Sequence, residues 1–165
     1  MVRAQVLEFV RNLAPHHHSV FFYDSLEDKH EVLAVFVEAG LENGELVIYV
    51  ASEETPRQIT EALKGYGVDA GHEGLRILNF DQWYVIDGRF SRSTVTQNWQ
   101  KAASTAIESG YKGLRAMGEA AFAFSHGLEE KFSEYELSLG SELKIPMTAI
   151  CQYTISVIPS DRYLA

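Results

Sequence analysis

The sequence predicts an α/β protein: a mostly parallel sheet of at least five strands in three layers, with helices on both faces and an amphipathic helix in front. Three observations carry this prediction. Apolar runs of strand length alternate with helical stretches of roughly 10–16 residues. The runs are continuously apolar, as expected for strands covered on both sides. Caps, prolines and glycines punctuate the chain between them.

The elements follow in order. VRAQVLEFVRNL (2–13) places Val2, Val6, Phe9, Val10 and Leu13 on one helical stripe, and Pro15 ends it. VFFY (20–23) is the first strand. Ser25 caps a helix with an acidic first turn, running to Ala39 and stopping at Gly40 or Gly44. ELVIYVAS (45–52) is the second strand, and Thr55-Pro56 opens a helix to about Leu63. LRILNF (75–80) is the third strand. DQWYVIDGRF (81–90) has no clear period, but Asp87-Gly88 is a turn signal.

A long helix, roughly Ser93 to Glu108, ends at Gly110. In YKGLRAMGEAAFAF (111–124) two glycines argue against a helix, each costing about 1 kcal/mol relative to Ala. As a strand from Gly113 to Gly118 it turns Arg115, Met117 and Glu119 to one side and leaves Glu119 at its carboxyl end. LEEKFSEYELSLGSEL (128–143) reads as a helix, and MTAICQYTISVI (147–158) as a fifth strand with room for a sixth. The crossovers are expected to be right-handed. Residues 1–165 read as one domain, a helix over 1–15 and a core over 18–165.

The net charge of −9 and the lack of adjacent Lys or Arg residues argue against a nucleic-acid surface. No apolar run approaches the roughly 20 residues of a membrane span. One cysteine, Cys151, excludes an internal disulfide and suits a reducing cytoplasm. Sheets of this kind bind ligands outside the carboxyl ends of their strands. Those ends collect Tyr23, Asp24, Ser52, Glu53, residues 79–83, Glu119, Gln152 and Tyr153, with Phe122 and Phe124 close behind. Aromatic groups with few polar ones suit a small, largely uncharged organic ligand. The expected pocket places Glu119 among Tyr23, Trp83, Tyr84, Phe122 and Tyr153, with Arg115 in support. Its alternative is that the aromatics cap the core and Glu119 is paired structurally.

Catalysis finds little support. The first strand–helix junction, YDSLEDKHE, has no glycine and three acidic residues among its first six, where a P-loop needs G-x-x-x-x-G-K-[ST]. No G-x-G-x-x-G or G-x-S-x-G occurs. Cys151 lies inside a strand, where a thiol usually serves as a small hydrophobe. Adjacent side chains of His16, His17 and His18 diverge, and the other histidines lack ligand spacing. No metal and no cofactor is expected.

Taken in order, HSVFFYDS (18–25), GLENGELVIYVAS (40–52), DGRF (87–90), GYKGLRAMGEAAF (110–122), Tyr135-Glu136 and AICQYT (149–154) resemble the MEDS domain, the methanogen and methylotroph sensory domain of the DcmR type. The resemblance runs from His18 nearly to the end. It implies a non-enzymatic sensory domain for hydrocarbon derivatives, related to RecA- and KaiC-like ATPases without their P-loop. His18, Tyr23, Arg115, Glu119, Tyr135, Glu136, Cys151, Gln152 and Tyr153 hold the family's characteristic positions. The chain departs from the pattern at Ala116-Met117, where Val-Thr is common, and at 120–122, where a Trp often stands. A degenerate nucleotide-binding or hydrolytic enzyme using Glu119 is the other reading. With no output module recognised, the signal is expected to leave through a separate signalling protein or self-association. The first helix, without a helical mate in the sequence, is a contact surface for either, or else packs on its own sheet, the favoured alternative.

Overall fold

The computed structural model describes residues 1–140 and 143–158. Helix α1 (Ala4–Arg11) leads into strand β1 (His18–Tyr23), followed by α2 (Leu26–Glu42), β2 (Leu46–Ala51), α3 (Pro56–Gly65) and β3 (Leu75–Asn79). A 3-10 turn (Phe80–Gln82) precedes a two-stranded hairpin of β4 (Val85–Ile86) and β5 (Arg89–Phe90). Then come α4 (Arg92–Glu108), β6 (Leu114–Glu119), α5 (Ala121–Ser125), α6 (Glu129–Leu139) and β7 (Met147–Thr154).

Five parallel strands form the main sheet in the order β1-β7-β6-β2-β3, so β6 lies at the centre. The alternation of side chains along each strand divides the core in two. Val47, Tyr49, Ala51, Met117 and Ile150 pack under α1, α2 and α3. Leu46, Ile48, Leu114, Ala116 and Ala149 pack under α4, α5, α6 and the hairpin. The predicted three-layer architecture is present.

Local chemistry sets the boundaries. Ser25 accepts the Asp28 amide at 3.1 Å and starts α2. Thr55 and Gln58 form a reciprocal capping box on α3, with Pro56 at its first position. The predicted turn at Asp87-Gly88 has both residues at positive φ, 50° and 72°, and joins β4 to β5. Gly40 does not stop α2, which passes through it. A Cβ there would lie 2.6 Å from Val47 and 2.8 Å from Arg115, so the glycine lets helix and sheet approach.

Three expectations need correction. Residues 155–157 form a 3-10 turn, so no sixth strand follows β7 among the described residues. Residues 121–125 form a short helix the sequence did not announce. And α1 has a mate: it packs along α2, with Val10 and Leu13 buried among Val32, Leu33, Phe36 and Val37. Arg11 pairs with Glu38 and Glu42 on that helix, and the Val10 carbonyl accepts from Arg115 at 3.3 Å.

Each buried apolar side chain of α1 is worth about 1.5–3 kcal/mol. Removing residues 1–13 is therefore expected to lower the thermal midpoint strongly, read by circular dichroism. An unchanged midpoint would show that α1 adds nothing to the core.

Candidate functional site

At the carboxyl edge of the sheet, the central strand ends in Glu119, which is fully buried. Its carboxylate accepts the Ser52 and Glu53 backbone amides, each at 2.5 Å, from the turn after β2. Tyr49 on β2 gives its hydroxyl proton to Glu119 at 2.5 Å, with the Gln152 amide 3.0 Å away. Opposite stands Lys29, from the first turn of α2, with Nζ 2.6 Å from Glu119 and 2.7 Å from Glu54. Glu53, which accepts from Tyr23 at 2.5 Å, is 3.6 Å from the same ammonium. Burial alone would lower the Lys29 ammonium, but the Glu119 and Glu54 carboxylates outweigh it and hold the group above its ordinary value. Glu54 is the converse: burial works upward, and Lys29 and His30 hold it below the usual range. Burial, then Glu119, pushes the Tyr49 hydroxyl well up.

Lys29, Tyr49 and Glu54 are the residues that sequence reasoning missed, and Lys29 is the most informative of them. Its charge hid it inside an acidic run. The signal was its place on the apolar stripe of α2, in step with Val32, Leu33, Phe36 and Val37, where a solvated lysine does not belong.

On the opposite face an aromatic cluster covers β6. Phe122 stacks on Phe80 and on Tyr84, with ring centres 5.5 and 4.9 Å apart, and Phe132 meets Phe122, Tyr84 and Tyr135 edge-on or tilted. Trp99 donates its indole N–H to the Tyr135 hydroxyl at 3.0 Å. Gly118 makes this packing possible, since a Cβ there would lie 2.1 Å from the Tyr84 hydroxyl oxygen. The pocket expected around Glu119 is thus divided by the sheet. Tyr23 and Gln152 stand with Glu119, whereas Trp83, Tyr84, Phe122 and Tyr153 belong to the other layer. Arg115 shares the strand face of Glu119 but binds Glu45 at 2.7 Å and lies over Phe36, at the other end of the strand.

A second polar group is buried beneath α6. His18 from β1, Glu136 from α6 and Cys151 from β7 place one donor atom each within 4.8 Å of one another. Burial opposes charging of His18, but Glu136 and the Gly140 carbonyl outweigh it and raise its pKa. Burial, reinforced by Glu136, pushes the Cys151 thiol well up. His16 and His17 turn elsewhere, to the Leu143 carbonyl and to Ser19.

Two clefts flank the segment before α4. One, of about 500 Å³, is lined by Tyr84, Ile86, Asp87, Arg89, Ser91 and Thr94. The other, of about 390 Å³, has Leu46, Ile48 and Leu78 of the sheet and Trp83 among its walls, with Asn98 and Ala102 of α4 across from them.

Breaking a buried pair leaves an uncompensated charge and costs about 3–5 kcal/mol. Lys29→Met is expected to lose that much in urea unfolding, and adding Glu119→Gln is expected to restore part of it. Strictly additive losses in this cycle would mean that the two residues do not act on each other.

Comparisons with known proteins come out as follows. A search of curated proteins gives no match. Among solved structures, an uncharacterized protein from Pyrococcus horikoshii, crystallised in complex with an unknown peptide, superimposes with a TM-score of 0.59 at 15% identity. The match covers 93% of this chain and 76% of that one, and at this identity it speaks for the fold alone. The family model of the MEthanogen/methylotroph, DcmR Sensory domain matches residues 17–164. By that match over most of its length, the chain belongs to the MEDS sensory-domain family.

Proposed function

We propose that this chain is a cytoplasmic, non-enzymatic sensory domain that binds a small, largely uncharged organic molecule of the hydrocarbon-derivative class. The observation that carries this reading is the apolar groove beside β3. At about 390 Å³ it is of ligand size. Its floor is Leu46, Ile48 and Leu78, its walls include Trp83 and Ala102, and Arg76, Asn98, Lys101 and Thr105 supply polar groups around them. Such a lining suits an apolar body with one polar handle. A ligand there would touch α4 and the segment that carries the hairpin, and so could shift a surface read by a signalling partner or a second copy.

The Glu119 region is unsuited to nucleotide chemistry. The helix start after β1 offers Lys29 to carboxylates that already hold it, and three carboxylates surround that one ammonium. A polyphosphate would meet repulsion there. Descent from RecA- or KaiC-like ATPases, with the nucleotide site given over to internal ion pairs, fits this arrangement.

Two measurements test the reading. Short alcohols, halogenated alkanes and simple amides are to be titrated while tryptophan emission is followed, since Trp83 lines the groove. At least one is expected to bind saturably, and Ala102→Trp, which fills the groove, to weaken it at least tenfold, about 1.4 kcal/mol. Thr94→Trp in the neighbouring cleft should leave binding unchanged. No saturable binding, or binding indifferent to Ala102→Trp, would refute the groove as the site.

Calorimetry with Mg-ATP is expected to show no binding in the micromolar range and no turnover. Micromolar binding would favour the enzyme reading instead.

A further inference from the structure

His18, Glu136 and Cys151 come from three different elements and meet in the interior, and the way they meet is unfinished. The His18 ring lies with Nδ1 2.7 Å from the Gly140 carbonyl oxygen. A carbonyl only accepts, so Nδ1 carries a proton and donates it. In the neutral ring, Nε2 then presents a lone pair. What it faces is Glu136, with Oε2 3.4 Å away. That is too long for a charge-assisted hydrogen bond, which runs about 2.7–2.9 Å. Neither His18 Nε2 nor either carboxylate oxygen of Glu136 has a hydrogen-bond partner, although all three atoms are out of contact with solvent. The His18 and Glu136 side chains are only 6% and 10% exposed. An imidazole nitrogen, a carboxylate and a sulfur therefore converge, and among the described residues no Lys or Arg pairs with Glu136, which leaves a proton on His18, or a metal ion in its place, to offset the charge.

We propose that His18 Nε2, a Glu136 carboxylate oxygen and Cys151 Sγ form a binding site for a divalent transition-metal ion of the zinc class. The spacing fits. Zinc bond lengths of about 2.0–2.3 Å in a tetrahedron put neighbouring donor atoms about 3.3–3.7 Å apart. The His18–Glu136 separation is 3.4 Å, and all three donors lie within 4.8 Å of one another. The charge fits as well: a thiolate and a carboxylate neutralise a dication, so the buried site becomes uncharged overall. The Gly140 carbonyl is the kind of outer partner that orients a ligating histidine through its other nitrogen. A sulfur, a nitrogen and an oxygen together select a borderline ion over magnesium or calcium, which take oxygen donors. The site is separate from the groove of the sensory reading, and either can stand without the other.

The chain's single cysteine makes the test sharp. Chelator-treated protein is titrated with Co(II) and followed by absorption. A near-ultraviolet thiolate-to-cobalt charge-transfer band can come only from Cys151, and visible bands report four-coordinate geometry. One equivalent is expected to bind with both features, and zinc to displace it. Glu136→Gln and His18→Gln should weaken zinc at least tenfold, and Cys151→Ser should abolish the charge-transfer band. The double variant His16→Ala, His17→Ala should change nothing. Absence of a charge-transfer band in the unaltered protein would overturn the proposal, whatever the variants do. So would metal binding that disappears with His16 and His17 and not with His18.

Discussion

The carboxylate of Glu119 organises this fold. It ends the central strand with no exposure to solvent, and an unpaired charge there would cost several kcal/mol or lose its ionisation. Each donor that prevents this comes from elsewhere in the chain: Lys29 from α2, Tyr49 from β2, and the Ser52 and Glu53 amides from the turn into α3. One group thus fixes the start of one helix, the end of a neighbouring strand and the approach to a second helix. At the other end of the strand, Arg115 does comparable work with Glu45 and the Val10 carbonyl. The two residues share a strand face about 13 Å apart, at about 3.3 Å per residue. Each is satisfied separately, so together they clamp the α1–α2 layer at both ends of the sheet.

The opposite face follows a different logic. There β6 offers Leu114, Ala116 and Gly118, and the decreasing bulk toward Gly118 admits Tyr84 against the strand. Aromatic rings then fill the layer where the first face uses charge. The polar atoms left inside it, His18, Glu136 and Cys151, lie near the edge strand β1 and apart from Glu119. A buried carboxylate saturated by donors is a structural feature. Glu136 has only the His18 ring, 3.4 Å away, and the Cys151 thiol to offset its charge, and that contrast with Glu119 is what sets it apart.

Much of the fold was legible because its signals are local. Continuous apolar runs gave the five strands, and Ser25, Thr55-Pro56 and Asp87-Gly88 marked boundaries that the structure keeps within a few residues. What was not legible depends on which face a residue takes after packing. Glu119 was found at the strand end, yet its aromatic neighbours in sequence cross to the other layer, because the chain turns into α5 after Ala120. Lys29 looked like solvated charge until the stripe of α2 put it indoors. The mate of α1 is the next helix along, hidden because the strand between them masks the pairing. His18, Glu136 and Cys151 have no mutual spacing a motif could capture, since β1, α6 and β7 meet only in the finished fold.

These placements bear on the proposal that this domain senses rather than hydrolyses. The start of the helix after the first strand is the usual seat for phosphate, because its free amides and dipole favour anions. Here that seat is filled from within the chain. Ser25 takes the Asp28 amide, Glu27 and Asp28 supply negative charge in the first turn, and Lys29 points inward to Glu119 and Glu54. A ligand-dependent change at that edge would have to break buried ion pairs, at a cost comparable to a large share of a domain's stability. The groove beside β3 involves none of those buried ion pairs, and its floor is Leu46, Ile48 and Leu78. On the proposed reading, a ligand in that groove would leave the ion pairs of the Glu119 edge intact.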